Sequence, residues 1–178
     1  MNINLKNILL AVIILTFSTV LTAQQTNESI NVMLLNYLTG YCEEGEEDTF
    51  IGFIQKNKNE VQSMLMSYVN EGVPESLMDS LKRSAAIQYK NRQQILSQGL
   101  DFGLGKEDLE FIKKQSQKDF TNQKIEDYRS GFMSQVIFGL SLIDSEEANA
   151  LIKKIAADEK NPNQRSAQNA LNKVYLKK

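Results

Sequence analysis

The clearest secondary-structure pattern of the chain lies in residues 144–174, which read DSEEANALIKKIAADEKNPNQRSAQNALNKV. Apolar residues recur here at steps of three and four, the spacing that places side chains on one face of an α-helix. The first predicted face contains Ala148, Leu151, Ile152, Ile155 and Ala156, and the second contains Ala167, Ala170, Leu171 and Val174. The stretch therefore predicts two amphipathic helices separated by a short turn at 158–160.

The ends of these two helices also carry recognisable signals. Asp144 is predicted to cap the first helix, because Glu147 follows three residues later in a capping-box arrangement. Asn161 is predicted to cap the second helix, and Pro162 suits its first position because proline lacks the N–H that would be unpaired there.

Helical periodicity extends over most of the remaining chain. It predicts helices over about 28–41, from about 50, and over about 59–71, 74–98, 106–117 and 122–142. Residues predicted to face inward include Met33, Arg92, Leu109, Phe111 and Ile112. No segment shows the period of two expected of a strand, so the predicted fold class is all-α, built from antiparallel helical hairpins. The glycine-rich segment 99–105 is a possible hinge within it.

The hairpin at about 144–176 resembles a HEAT-type repeat. Pro162, Arg165 and the small or apolar residues Ala167, Ala170 and Leu171 match the family pattern, in which a turn with Asp-Pro and Val-Arg precedes closely packing small residues. Asn161 and Gln164 depart from that pattern, since they replace the acidic residue and the valine. The resemblance implies a HEAT-like α-solenoid, and an irregular helical bundle is the alternative fold.

The first 23 residues have the organisation of a secretory signal peptide. A basic start ending at Lys6 precedes an apolar run over 8–21 and the small residues Thr22 and Ala23. The apolar run is shorter than the ~20 residues that span a bilayer. We expect cleavage after Ala23, a single all-helical domain at 24–178, no stable membrane insertion after cleavage, and a periplasmic or extracellular location. An uncleaved anchor helix is the alternative.

The composition restricts the chemistry of the protein. The chain has 178 residues, with 20 Lys and Arg, 22 Asp and Glu, one Cys and no His. Absence of His excludes Ser-His-Asp and Cys-His catalytic units, and one thiol excludes an internal disulfide. The formal net charge of −2 becomes −3 when Lys6 is removed with the signal peptide, so no general attraction to nucleic acid is expected.

Three local motifs invite a ligand-binding interpretation. The acidic run Glu43, Glu44, Glu46, Glu47 and Asp48 lacks the ligand order of an EF-hand, and we interpret it as a solvated loop. The triplet at 101–103 matches the kinase Asp-Phe-Gly letters without the other kinase motifs. Cys42 ends an apolar helix and is expected to be a buried thiol. We therefore predict no metal, no cofactor and no catalytic residues.

Charged residues supply the remaining candidates. Glu28 and Glu75, each followed by Ser, would be the acid/base groups of a carboxylate-dependent cell-wall hydrolase, which is the least favoured function. The basic cluster Lys82, Arg83, Lys90 and Arg92 is the best candidate surface for an acidic partner. The favoured function is a non-enzymatic protein-binding or scaffold module of the cell envelope with an unidentified protein partner. An inhibitor or immunity-type protein that occludes a secreted enzyme is the alternative.

Overall fold

The computed structural model describes residues 28–40, 46–99, 101 and 103–175. These residues form eight helices and no strand, which confirms the predicted all-α fold class. The helices are α1 (28–39), α2 (Glu46–Lys56), α3 (Lys58–Glu71), α4 (Glu75–Ser97), α5 (Lys106–Lys114), α6 (Gln117–Ile143), α7 (Glu146–Ala157) and α8 (Gln164–Tyr175). The predicted signal peptide at 1–23, Cys42, Glu43 and Glu44 lie outside the described residues. No helix within the described ranges is both long and apolar enough to cross a membrane.

The helix α6 lies at the centre of the molecule and packs against α2, α3, α4, α7 and α8. Its C-terminal half is buried on more than one side, with Phe132, Val136, Ile137, Leu140 and Ile143 at most 2% exposed. A helix that is apolar nearly all round needs neighbours on several sides to exclude water from it. Its N-terminal half is polar, and Phe120 is the residue of that half that is buried.

Gly139 allows α3 and α2 to approach α6 closely. A Cβ atom at this position would lie 2.9 Å from Leu65 Cδ1 and 3.5 Å from Ile54 Cδ1. Both neighbouring side chains are fully buried. The missing side chain of Gly139 therefore provides the space that these two core residues fill.

The N-terminal helices attach to this core through aromatic residues. The Tyr37 ring of α1 lies 5.1 Å from the ring of Phe50 and 5.4 Å from that of Phe53, both in α2. The Tyr68 hydroxyl of α3 donates a 2.6 Å hydrogen bond to Asn31 Oδ1 of α1. Burial raises the pKa of Tyr68, and the nearby Glu71 carboxylate raises it further.

One predicted inward residue of α1 points outward. Ile30, Leu34 and Leu38 are buried, whereas Met33 is 45% exposed. Met33 lies about 100° around the helix from Leu34, since each residue of an α-helix advances by that angle. The buried face of α1 is therefore narrower than the sequence pattern suggested.

The C-terminal helical hairpin forms as predicted, with α7 and α8 packed on each other and on α6. The residues of the two predicted faces are buried or half-buried wherever their burial is described; Ala148, Ile152, Ile155, Ala167 and Ala170 are the buried ones. The predicted starts of both helices are wrong by one or two residues. Ser145 rather than Asp144 caps α7, because Ser145 Oγ accepts a 3.1 Å hydrogen bond from the Ala148 N–H.

Asp144 instead ends the preceding helix in the left-handed region, with φ of 53°. The second start is displaced in the same direction, since α8 begins at Gln164 and not at Pro162. Asn161 Oδ1 accepts a 2.9 Å hydrogen bond from the Asn163 N–H, so residues 161–163 form a turn before the helix.

The start of α6 corrects another predicted boundary. The helix begins at Gln117 rather than at Asn122, and the predicted α5 ends earlier, at Lys114. Ser116 separates the two helices, and its Oγ accepts a 3.1 Å hydrogen bond from the Asp119 N–H. This cap places the polar first turns of α6 beside α4 and α5, where they form part of the site described next.

Candidate functional site

The short helix α5 covers the surface beside α4 and α6 without entering the core. None of its nine residues is buried. Leu109 and Ile112 are half-buried, but Phe111 is 65% exposed, so the prediction that Phe111 faces inward is wrong. Leu104, just before the helix, is 36% exposed. Leu104 and Phe111 together form an exposed apolar edge.

A cleft of about 370 Å³ lies beneath this edge, between α4, α5 and α6. Six of its lining residues are polar or charged and four are apolar, so it is more polar than a typical small-molecule pocket. The lining residues are Arg92, Leu104, Asp108, Phe111, Ile112, Gln115, Phe120, Gln123, Lys124 and Asp127.

Arg92 of α4 is the central polar residue of this cleft. Its guanidinium carbon lies 4.4 Å from the centre of the Phe120 ring and 5.2 Å from that of Tyr89, both in the range of cation–π contacts. Arg92 Nη1 donates a 2.8 Å hydrogen bond to Gln115 Oε1. Two aromatic rings and one amide thus fix the orientation of the guanidinium group.

Gln115 connects the three helices that form the cleft. Its Nε2 donates a 2.9 Å hydrogen bond to Gln123 Oε1 of α6, and its backbone oxygen accepts a 3.1 Å hydrogen bond from the Tyr89 hydroxyl of α4. Gln115 directly follows α5. Gln115 therefore links the end of α5 to both α4 and α6.

One edge of the Arg92 guanidinium has no partner. Nε and Nη2 are both buried and form no hydrogen bond, and Arg92 forms no ion pair with a described residue. Burial lowers the pKa of Arg92, and the neighbouring Tyr89 acts in the opposite direction. Arginine nevertheless stays protonated in proteins, so the cleft contains a fixed positive charge. Nε–H and one N–H of Nη2 point the same way, which matches the two oxygens of a carboxylate.

The predicted basic face of α4 does not include Arg92. Arg83 and Lys90 are exposed together, and Lys82 is exposed and pairs with Asp79 at 3.1 Å. Arg92 lies about 160° around the helix from Lys90, because two residues advance an α-helix by about 200°. The four residues are neighbours in sequence, but the helix divides them between an open face and the cleft.

The remaining candidates lie away from the cleft. Glu28 and Glu75 are exposed at the beginning of α1 and α4, and neither lines the cleft. Asp101 Oδ1 accepts a 3.0 Å hydrogen bond from the Gly103 N–H, so this segment is a turn between α4 and α5. In the part of the chain that is described, no group of three or more Cys, Asp or Glu side chains could hold a metal ion.

Sequence reasoning missed most of the cleft although a signal for it was present. Phe120, Gln123, Lys124 and Asp127 follow the i, i+3, i+4, i+7 pattern of one helix face. The pattern was not recognised because the helix was predicted to begin at Asn122, after the phenylalanine. Arg92 was placed both in the inward stripe of α4 and in its basic face, and the structure selects the inward stripe.

The fold and the cleft together define an all-helical protein with a partly apolar surface site around an arginine. Comparison with known proteins adds no assignment to this class: no family model, no curated protein and no solved structure matches the chain significantly.

Proposed function

We propose that this chain is an exported, non-enzymatic protein-binding module of the cell envelope. Its binding region is the α5 surface, which we define as Leu104, Phe111 and the cleft around Arg92. The observation that carries the proposal is the 65% exposure of Phe111 on a helix with no buried side chain. Large apolar groups exposed next to a polar cleft are characteristic of surfaces that a partner covers.

The resemblance of the C-terminal hairpin to a HEAT repeat supports the same class of function. HEAT-like modules act as adaptors and scaffolds, and the matching residues Pro162, Arg165 and Ala167 lie in the α7–α8 hairpin. The hairpin itself packs on the central helix α6, which also lines the cleft. In this proposal α7 and α8 stabilise the position of α6, and α5 contacts the protein partner.

A position-specific cross-linking experiment in the native host tests the α5 surface. A photoreactive phenylalanine analogue at position 111 is expected to yield an adduct of defined mass with one protein. The same analogue at position 153, an exposed lysine of α7, is the control and is expected to yield none. The proposal would be wrong if position 111 gave no adduct or if both positions gave the same adducts. A secreted hydrolase as the cross-linked partner, inhibited on binding, would favour the inhibitor function instead.

Cell fractionation and mass spectrometry test the proposed export. The processed protein is expected outside the cytoplasm with Gln24 as its first residue. Replacing the small Ala23 by Arg is expected to block cleavage, since signal peptidase requires small residues before the cut. A full-length chain that stays in the membrane fraction would favour the anchor helix, and a cytoplasmic chain would contradict export.

A further inference from the structure

We propose that the cleft beneath α5 binds an acidic peptide segment of the protein partner. In this complex Nε and Nη2 of Arg92 pair with one Asp or Glu carboxylate of the peptide, and Leu104 and Phe111 contact an apolar side chain next to it. The inference rests on the proposed function and specifies the chemistry of its partner.

The unpaired edge of Arg92 is the first argument for a carboxylate. Charged N–H donors that are removed from water and left without an acceptor are unfavourable, and a partner that supplies the acceptors removes this penalty. A carboxylate offers two oxygens at the spacing of Nε and Nη2, and such two-bond pairs are strong and directional. Gln115 already occupies Nη1, so the free edge is the one that remains for a ligand.

The other charges of the cleft do not cancel this attraction. Asp108, Lys124 and Asp127 also line the cleft, but all three are exposed, whereas the Arg92 guanidinium is partly desolvated. Exposed charges are screened by water and salt more strongly than buried ones. Neither aspartate forms an ion pair with Arg92. A carboxylate that enters the cleft is therefore attracted mainly by Arg92.

Access to the free edge requires movement of the side chains around it. Nε and Nη2 are covered in the structure. In this proposal α5, which lines the cleft, shifts outward to admit the peptide. This movement uncovers no fully buried side chain of α5, since Leu109 and Ile112 are only half-buried. Segments with few buried contacts open most easily in a folded protein.

A peptide fits the site better than a small acid for two reasons. The paired side-chain amides of Gln115 and Gln123 can donate to and accept from a peptide backbone when they exchange partners. Phe111 lines the cleft and is also 65% exposed, so it can contact a peptide both inside the cleft and outside it. The two features favour a chain that continues outside the cleft.

A positional-scanning library of synthetic pentapeptides, probed with the processed protein, tests this inference. One peptide position is expected to select Asp or Glu over Asn or Gln, with an apolar residue selected beside it. For the best peptide, replacing its acid by the amide is expected to weaken binding about tenfold, as befits loss of a charged hydrogen bond.

Three variants locate the interaction. Arg92→Gln is expected to abolish the acidic preference, and Arg92→Lys to restore only part of it because lysine lacks the paired edge. Lys90→Gln removes the same charge from the opposite side of α4 and is expected to leave binding unchanged. The denaturation midpoint of each variant is measured in parallel. If Arg92→Gln does not fold, the acidic preference of Arg92→Lys is compared with that of the wild type instead.

The outcomes separate this inference from the proposed function. An acidic preference that survives Arg92→Gln, or a wild-type protein that binds no peptide of the library, would overturn the inference. The proposed function would stand in both cases if position 111 still cross-linked to a partner. We expect Phe111→Ser to bind none of the peptides and Arg92→Gln to lose the preference for an acidic residue.

Discussion

At the residue scale, two glycines of α6 have different surroundings and predict opposite effects of one added methyl group. Gly131 is exposed, and a Cβ there would meet no atom within 4 Å. Gly131→Ala is therefore expected to raise the free energy of unfolding by up to about 1 kcal/mol, because alanine favours the helix. Gly139→Ala gains the same preference but overfills the core at Leu65, at a cost of ~1–3 kcal/mol.

The net expectation for Gly139→Ala is a decrease of about 1 kcal/mol in the free energy of unfolding, by subtraction of these two effects. Urea denaturation of the wild type and the two variants measures both values. An equal stabilisation by both substitutions would mean that Leu65 moves aside at no cost, and the close packing at Gly139 would then be unimportant for stability.

The cap of α7 supplies a second prediction at this scale. Ser145→Ala removes the acceptor of the Ala148 N–H and is expected to lower the free energy of unfolding by about 1 kcal/mol. Asp144→Gly is the comparison variant: glycine adopts the φ of 53° found there without strain, and the substitution removes an exposed hydrogen bond that Asp144 Oδ1 accepts from Asn149 Nδ2. Thermal or urea unfolding measures both changes. If Ser145→Ala left the free energy of unfolding unchanged, Ser145 would not be the functional cap.

At the element scale, α5 is predicted to open independently of the rest of the protein. Gln115→Ala removes the hydrogen bonds from Arg92 and to Gln123 and is expected to increase amide exchange in α5 about tenfold, as for loss of a charged hydrogen bond. The free energy of global unfolding is expected to fall by a similar amount, because these hydrogen bonds are absent from the unfolded chain as well as from the open state. Exchange through local opening of the other helices is expected to stay unchanged.

Hydrogen exchange followed by mass spectrometry measures this effect for each segment of the chain. Gln94→Ala, an exposed glutamine of α4, is the control and is expected to leave exchange in α5 unchanged. Equal protection of α5 and α6 in the wild type would contradict the independent opening of α5, and with it the access route to Arg92.

The elements that sequence predicted well are those whose signals are local. The helix α3 ends at Glu71, directly before Gly72 with φ of 83°, and the inward faces of α7 and α8 follow from their spacing alone. Gly139 could not be recognised as a packing site, because the requirement for space comes from Leu65 on another helix. Phe111 was misjudged for a related reason: its spacing is that of a core residue, and α5 has no core to enter.

The candidate site was less accessible from sequence than the helices. The sequence places Arg92 in both a stripe and a basic cluster of α4, where Tyr89 also lies, but Phe120, the nearer aromatic ring, lies on α6. The sequence does not show that Nε and Nη2 of Arg92 lack hydrogen-bond partners. Such a site results from the packing of three helices, so tertiary structure is needed to identify it.

At the scale of the whole molecule, tyrosine residues are predicted to determine how the stability changes at alkaline pH. Without His, no imidazole contributes to the pH dependence between about pH 6 and 8. Burial raises the pKa of Tyr68 and of Tyr128 above that of a free tyrosine, about 10. The unfolded chain therefore loses these protons first, and the free energy of unfolding decreases as pH rises from about 10 through the higher folded-state pKa.

Tyr68→Phe tests this contribution. At about pH 7 the variant is expected to be less stable by about 1 kcal/mol, because the hydrogen bond from the hydroxyl to Asn31 is lost. Above about pH 10 its free energy of unfolding is expected to fall less steeply than that of the wild type, since one raised pKa has been removed. Urea denaturation at several pH values between about 7 and 11 compares the two curves. Parallel curves would show that Tyr68 titrates alike in the folded and unfolded states, and the alkaline loss would then come from other groups.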